Sequence, residues 1–139
     1  MLWLIAFGSA VFIYAALAAS RRRKQLLVDR TWRNELPSRL GTRLGLVGIH
    51  IDEAKALALA GAFFDALYEG YGVRSFGALM RAITVSDASE NERISKTACE
   101  RAAALLPEAS RVSGAAMIRI AVEDAGATAQ AASERSGEI

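Results

Sequence analysis

The sequence predicts an all-α protein, in which a single N-terminal transmembrane helix precedes a small, alanine-rich bundle of about four helices. Residues 1–20 carry no charged side chain, and 17 of these residues are apolar. Between residues 51 and 124, apolar side chains recur at helical spacing. In addition, 22 of the 79 residues in the range 54–132 are alanine, the residue of highest helix propensity.

The composition excludes several classes of protein. The chain has 139 residues, enough for one domain or for one domain with an appendage. Its single cysteine cannot close an intramolecular disulfide, and one cysteine with one histidine cannot supply a four-ligand zinc site. With 11 glycines and 2 prolines, the chain is neither collagen-like nor proline-rich.

Residues 1–20, MLWLIAFGSAVFIYAALAAS, have the properties of a membrane anchor. A helix over residues 2–19 is about 27 Å long, which matches a hydrocarbon core of about 30 Å. Trp3 and Tyr14 suit the two membrane interfaces. The alternatives are a buried helix of a soluble protein and a cleaved signal peptide, for which residues 16–18 resemble a cleavage site. The anchor is favoured because no basic residue precedes the apolar run and a basic cluster follows it.

The basic segment after the apolar run predicts the orientation of the anchor. Residues 21–50 contain eight basic and two acidic residues, whereas residues 51–139 contain nine basic and thirteen acidic residues. By the positive-inside rule, the N-terminus lies outside and the helical domain lies in the cytoplasm. Anionic lipid headgroups are expected to stabilise the basic cluster by about 1 kcal/mol per residue. The four residues of this cluster are Arg21, Arg22, Arg23 and Lys24.

The basic segment continues into a stretch of mixed character. Residues 21–36 favour an amphipathic helix, and Pro37 is expected to end or kink it. Residues 38–50 contain three glycines without the spacing of a nucleotide-binding loop, which predicts a linker. The predicted organisation is a transmembrane anchor (1–20), a basic juxtamembrane segment with a glycine-containing linker (21–50), a helical domain (51–124) and a disordered tail (125–139).

Four helices are predicted within the helical domain. Asp52 is the expected N-cap of the first helix, and Gly70 and Gly72 are its expected stop signals. Ser89 and Glu92 have the spacing of a capping box at the start of the third helix. After residue 124, no large apolar residue occurs until Ile139, which predicts the disordered tail. The four helices are expected over residues 53–69, 73–83, 90–106 and 108–123.

Two pairs of residues offer catalytic or metal-binding chemistry. His50 with Asp52 suggests a general base, but no nucleophile elbow accompanies them, so a role at the start of a helix is favoured. Asp65 and Glu69 lie one helical turn apart, as two ligands of a hard metal ion would. A solvated face, answered by Arg74 or Arg81, is favoured because a di-iron bundle also needs Glu-x-x-His pairs. No metal and no cofactor is predicted.

Two further features bear on association. Cys99 is expected to be a small buried apolar residue, with a redox or intermolecular-disulfide role as the alternative. Ala6, Gly8 and Ala10 would permit close approach of a second transmembrane helix, and plain anchoring is the alternative.

These observations predict a non-enzymatic, single-pass protein of the bacterial inner membrane. Its cytoplasmic helical domain is expected to bind, scaffold or stabilise a larger membrane protein complex, or a homo-oligomer, as an accessory or assembly subunit. The bacterial origin follows from 14 arginines against 3 lysines and from the abundant alanine. Nucleic acid is not an expected partner, because Trp32 is the only aromatic residue in the basic segment. The alternatives are a membrane-tethered enzyme or ligand-binding module using His50 or Asp65/Glu69, and a small lysis-type protein.

Overall fold

A computed structural model describes residues 22–137, with side chains described for residues 26–135. Over this range the chain is all-α and contains no strand, as predicted. The elements are α1 (Arg22–Gly45), α2 (Glu53–Tyr71), α3 (Phe76–Val85), α4 (Ala88–Ala103), a short 3-10 helix (Glu108–Ser110) and α5 (Arg111–Gly137).

The predicted anchor, residues 1–20, lies outside the described residues. Among residues 22–137, no helix combines the length and the hydropathy that a membrane span requires.

The helices α1 and α5 run antiparallel and make the most extensive contact in the bundle. Two polar contacts fix their register. The Nε of Arg43 lies 2.7 Å from Oδ2 of Asp124, and Nη2 of Arg39 donates to the Thr128 hydroxyl at 3.3 Å. Because residue numbers fall along α1 as they rise along α5, the C-terminal end of α5 lies beside the N-terminal half of α1.

The core of the α1–α5 pair is formed by a row of large side chains on one helix and a row of small ones on the other. On α1, every fourth residue is buried, and the row consists of Val28, Trp32, Leu36, Leu40 and Leu44. On α5, the buried row consists of Ile118, Ala121, Val122, Ala125, Ala129 and Ser133. Small side chains allow two helix axes to approach closely, so the large side chains of α1 are enclosed without bulky residues on α5.

Trp32 joins α1 to α2 and α3. Its ring makes edge-to-face contacts with Phe63, Phe64 and Phe76, at centroid distances of 6.3, 5.1 and 6.4 Å. Such aromatic pairs contribute about 0.5–1.5 kcal/mol each beyond the area that they bury. This cluster therefore fixes the positions of three helices at one end of the bundle.

Pro37 was predicted to end or kink the helix, and the structure shows that it does not end it. The linker predicted over residues 38–50 is helical up to Gly45, so that part of the prediction was wrong. Helix α1 includes Pro37 and continues to Gly45. A proline inside a helix costs about 3 kcal/mol. Full burial of a leucine side chain stabilises by about 1.5–3 kcal/mol, and both Leu40 and Leu44 are fully buried beyond the proline. Their combined burial offsets the cost of the proline, and the chain turns only at residues 46–48.

The prediction of a disordered tail after residue 124 was also wrong. Helix α5 extends to Gly137. The side chains of Ala125, Ala129 and Ser133 are small, and they were therefore not recognised as core residues, although each of them is buried against the large residues of α1. Their spacing of four residues is the signal that identifies this part of α5 as helical.

The N-cap of α2 was predicted correctly, whereas that of α4 was not. Oδ1 of Asp52 accepts a hydrogen bond from the Lys55 amide at 2.7 Å. In α4, Asp87 takes the capping position, and its Oδ1 accepts from the Glu90 amide at 2.8 Å. The predicted capping box at Ser89 therefore does not form, because the helix has already begun at Ala88.

A buried asparagine connects α2, α3 and α4. The hydroxyl of Tyr71 donates to Oδ1 of Asn91, and Nδ2 of Asn91 donates to the carbonyl of Ile83 at 3.1 Å. Burial raises the pKa of Tyr71, so its hydroxyl stays protonated as the donor. These two bonds satisfy a buried amide that would otherwise destabilise the core.

Two glycines of α2 provide a test of the helix geometry. A Cβ added at Gly61 would meet no atom within 4 Å, whereas Gly72, the C-cap, has φ +67°. We expect Gly61→Ala to raise the free energy of unfolding by about 0.5–1 kcal/mol, because alanine is the better helix former. Gly72→Ala should lower it by about 1–2 kcal/mol, because a Cβ disfavours the left-handed conformation.

Urea unfolding of the detergent-solubilised full chain, followed by circular dichroism, measures both changes. Equal effects of the two alanines would contradict the helix boundary at Gly72.

Candidate functional site

The structure places His50 in the exposed segment between α1 and α2. The carboxylate of Asp52 is engaged as the cap of α2. An open hollow of about 730 Å³ lies beside His50, and Ser110 is among its lining residues. Among the described residues, no hydrogen bond joins His50 to Asp52 or to Ser110. The arrangement therefore lacks the base–nucleophile contact of a hydrolytic site.

Asp65 and Glu69 lie on the exposed face of α2. Glu69 forms an ion pair with Arg101 of α4, and this guanidinium lowers the pKa of the carboxylate. The sequence suggested Arg74 or Arg81 as the partner of these carboxylates. In the structure, the partner of Glu69 is Arg101. Within residues 22–137, no group of three or more His, Cys, Asp or Glu side chains is close enough to hold a metal ion.

The predicted membrane contacts fall outside the part of the chain that can be described in full. Trp3, Ala6, Gly8, Ala10, Tyr14 and Arg21 lie outside the described residues. For Arg22, Arg23 and Lys24, the structure describes only the backbone, which belongs to the first turn of α1. The predictions for these residues stay predictions.

A surface groove of about 500 Å³ runs between α4 and α5. It is called here the α4–α5 groove, and it is lined by Lys96, Cys99, Glu100, Ala103, Arg111, Val112, Ala115, Ala116 and Arg119. Its floor is apolar and is made of small side chains from both helices. The side chain of Val112, which is 88% exposed, stands at its border. A concave apolar surface with a few charged groups around it is typical of a binding site.

Helices α4 and α5 are held together by contacts at the two ends of the groove, and no large side chain fills the space between these contacts. The guanidinium of Arg119 lies 2.6 Å from the carboxylate of Glu92 and 3.8 Å from that of Glu123. At the other end, Gly114 packs against the side chain of Leu106, and a Cβ at this position would clash with it. Between these two contacts, small side chains leave the space open.

The charges around the α4–α5 groove are not balanced. Three cationic side chains and one carboxylate line it, although residues 51–139 carry a net negative charge. Arg119 is answered by Glu92 and Glu123. For Lys96 and Arg111, by contrast, no described carboxylate lies within 4.0 Å. Glu100 also has no ion-pair partner among the described residues, and the Nε of Arg111 donates to the Leu106 carbonyl at 3.1 Å. The groove therefore presents two cations and one carboxylate without ion pairs beside an apolar floor.

Cys99 lies in the floor of the groove and is buried. Desolvation raises the pKa of its thiol to about 12. The thiol is therefore protonated at neutral pH and contributes to the floor as a small apolar group, which is the role favoured from the sequence.

Exposed large apolar side chains are concentrated at one end of the bundle. Among the described residues, seven such side chains are exposed, and two of them, Leu26 and Val85, lie at the end where α1 begins. The other five lie in the turns after α1 and α4 or in the first turns of α2 and α5, and we call them together the apolar tip, namely Leu46, Val47, Leu57, Leu105 and Val112. The turns after α1 and after α4 meet there, because Ile49 and Leu106 both pack beside Gly114.

Comparison with known proteins identifies no relative of this chain: no family model, no curated protein and no solved structure matches it. What the fold and the groove define is a small antiparallel helical bundle with a cationic, apolar-floored groove and an apolar end.

The raised pKa of Cys99 predicts a pH dependence of stability. The unfolded thiol ionises near its usual pKa of 9.0, and the folded thiol only near pH 12. As the pH rises above about 9, the unfolded chain loses a proton that the folded chain keeps, so the free energy of unfolding should fall. Cys99→Ala should remove this loss.

The measurement is urea unfolding of the wild-type and variant chains between about pH 8 and pH 9.5, because the tyrosines of the unfolded chain ionise near pH 10. If both chains lose stability equally over this range, the thiol is not responsible, and its burial in the groove floor would be in doubt.

Proposed function

We propose that this chain is a non-enzymatic, single-pass membrane protein whose cytoplasmic helical domain binds, scaffolds or stabilises a larger membrane protein complex as an accessory or assembly subunit. The observation that carries this proposal is the apolar tip. Large apolar side chains that gather at one end of a small domain, instead of being scattered singly, mark a protein–protein contact.

The position of the apolar tip suits such a role. Helix α1 has 24 residues and is about 36 Å long. Residues 1–20 precede one end of this helix, and the apolar tip lies at the other end. With residues 1–20 as an anchor, the tip is the part of the bundle that can stand farthest from the membrane surface, where it meets the soluble portion of a partner.

The orientation of the chain is a separate part of the proposal. It depends on the uncharged residues 1–20 and on the basic cluster at residues 21–24. We expect a reporter enzyme that is active only in the cytoplasm to be active when it is fused after Ile139. Activity of a periplasmic reporter at the same position would contradict the orientation.

A tip variant tests the partner interaction. We expect Leu46→Ser/Leu105→Ser to abolish migration in a large complex on a blue-native gel of solubilised membranes. Both residues are exposed, so the fold should change in stability by less than about 1 kcal/mol in total. The control is Val85→Ser, which changes an apolar residue that is 84% exposed at the opposite end and should leave the complex intact.

Two outcomes would contradict the proposal. The wild-type chain could migrate only as a free monomer of 14.9 kDa. Alternatively, the tip variant could migrate in the same complex as the wild type.

A further inference from the structure

Helix α3 has a positively charged outer side at the end of the bundle where α1 begins. We propose that this side, consisting of Arg81 and Val85 with Arg74 in the turn before the helix, lies on anionic lipid headgroups of the membrane that residues 1–20 enter. It is called here the α3 face. The inference rests on the membrane anchor of the proposed function, and it adds a second contact with the bilayer to the one expected of residues 21–24.

The path of the chain brings α3 to the end of the bundle that lies nearest the predicted anchor. Helix α2 leads away from the apolar tip, and α3 connects its end to the start of α4. The ring of Phe76, the first residue of α3, contacts the ring of Trp32 at 6.4 Å. Trp32 lies about 15 Å along α1 from Arg22, and the buried core that α3 joins extends to Val28, about 9 Å from Arg22. The α3 face is therefore on the membrane side of the bundle when residues 1–20 form the anchor.

The helical period of α3 separates its buried side from the α3 face. The buried side chains of this helix are Phe76, Leu79, Met80 and Ile83. Ala78, Arg81 and Val85 are spaced at i, i+3 and i+7, which places them together on the opposite side. Arg81 is exposed, as is Arg74 in the preceding turn, and the side chain of Val85 is 84% exposed. Guanidinium groups beside a projecting apolar side chain are typical of helices that lie in a membrane interface.

The α3 face has no carboxylate of its own. Residues 70–86 contain two arginines and no aspartate or glutamate. The sequence suggested that Arg74 or Arg81 would answer the carboxylates of α2. Neither guanidinium has a carboxylate within 4.0 Å in the part of the chain whose side chains are described. Both are therefore available to an anionic group outside the chain.

The carboxylates of neighbouring helices at this end do not neutralise the α3 face. Three of them are held in ion pairs, namely Asp29 with Arg33, Glu69 with Arg101 and Glu90 with Arg93. Within residues 26–135, the charges at this end without an ion pair are those of Asp65, Asp87, Glu134, Arg30, Arg74, Arg81 and Arg135. Asp87 is in addition engaged as the cap of α4. Cations therefore outnumber carboxylates among these groups, even before the basic cluster at residues 21–24 is added.

The position of the α3 face selects the bilayer as its ligand. Residues 1–20 are uncharged and lead directly into α1, so in the proposed function the membrane surface lies at the start of this helix. Anionic headgroups attract arginine side chains within about a Debye length, roughly 8–10 Å. Leu26, which is 62% exposed near the start of α1, offers a second apolar side chain to the same interface. A second copy of the chain that docked through its own α3 face would oppose arginine to arginine, which disfavours that occupant.

Contact at the α3 face would fix the orientation of the domain. An anchor alone leaves the bundle free to tilt and rotate about the start of α1. Because α3 begins beside Trp32, about 15 Å from that point, α1 must tilt toward the side of α3 to bring the arginines to the headgroups. The apolar tip then points in one defined direction, toward its partner.

The test measures contact between α3 and headgroups in the full chain, reconstituted in nanodiscs that contain some lipid with a nitroxide on its headgroup. Cys99 is replaced by alanine, and Thr84→Cys, at an exposed position of α3, carries a fluorophore that the nitroxide quenches on contact. The same fluorophore at Ala109→Cys, exposed in the 3-10 helix beside the apolar tip, is the reference for a position far from the surface. The discs contain phosphatidylcholine either alone or mixed with anionic phosphatidylglycerol.

In the anionic discs, we expect quenching at residue 84 to exceed that at residue 109 at least about threefold, whereas phosphatidylcholine alone should remove the difference. One arginine near an anionic surface favours contact about fivefold, so Arg74→Glu/Arg81→Glu should weaken it at least about thirtyfold and also remove the difference. The matched control is Lys55→Glu/Lys96→Glu, which makes the same change in net charge outside the α3 face and should keep the difference. Circular dichroism verifies that each variant is folded.

Three outcomes would overturn the inference. Residue 84 could be quenched no more than residue 109 in the anionic discs, the neutral discs could quench it equally, or the charge reversal could leave the quenching unchanged. If the reversal instead abolished the large complex on the blue-native gel and left the quenching unchanged, the face would bind a protein and not the bilayer.

The same measurements separate this inference from the proposed function. Quenching at residue 84 without any large complex contradicts the assembly role and leaves the membrane contact of α3. A large complex without this quenching removes the membrane contact of α3 alone. If alkaline carbonate extracts the chain from membranes, the anchor is wrong, and quenching by anionic vesicles then tests the α3 face by itself.

Discussion

The antiparallel contact between α1 and α5 is the interaction on which the rest of the structure depends. These two helices are the first and the last described elements, and their contact closes the bundle around α2 and α4. The large residues of α1 are enclosed by the mostly small buried side chains of α5 and, around Trp32, by the phenylalanines of α2 and α3. Enlarging a side chain on α5, or shortening one on α1, would therefore change the packing along the whole interface and not only at one site.

The same contact explains which parts of the fold the sequence could and could not predict. The helix class, the N-cap at Asp52 and the turn at Gly72 follow from local chemistry, and the structure has all three. The helical conformation around Pro37 and after residue 124 depends on a partner helix some 80 positions away in the chain. Local preference disfavours a helix at Pro37, and burial of Leu40 and Leu44 outweighs that preference.

The candidate site was less predictable than the fold. The burial of Cys99 agrees with the role favoured from the sequence. Asp65 and Glu69 lie on an exposed face, as favoured from the sequence, but the partner of Glu69 is Arg101. The groove could not be predicted, because a groove is a place where two helices both lack large side chains. Each alanine on α4 or α5 indicates only a helix, and the pairing of the helices is what turns the alanines into a concave surface. Its charge is likewise hidden in a domain that is acidic on average.

The pairing of the first and last described helices also has a consequence for synthesis. Helix α1 ends at Gly45 and α5 begins only at Arg111. At a ribosomal rate of about 5–20 residues per second, roughly 3–13 seconds pass between the completion of one and the start of the other. During this interval the row of Trp32 and leucines on α1 has no alanine-rich surface to cover it. The nascent chain is therefore most vulnerable to aggregation, and most in need of a chaperone or of its own middle helices, before the alanines of α5 have been made.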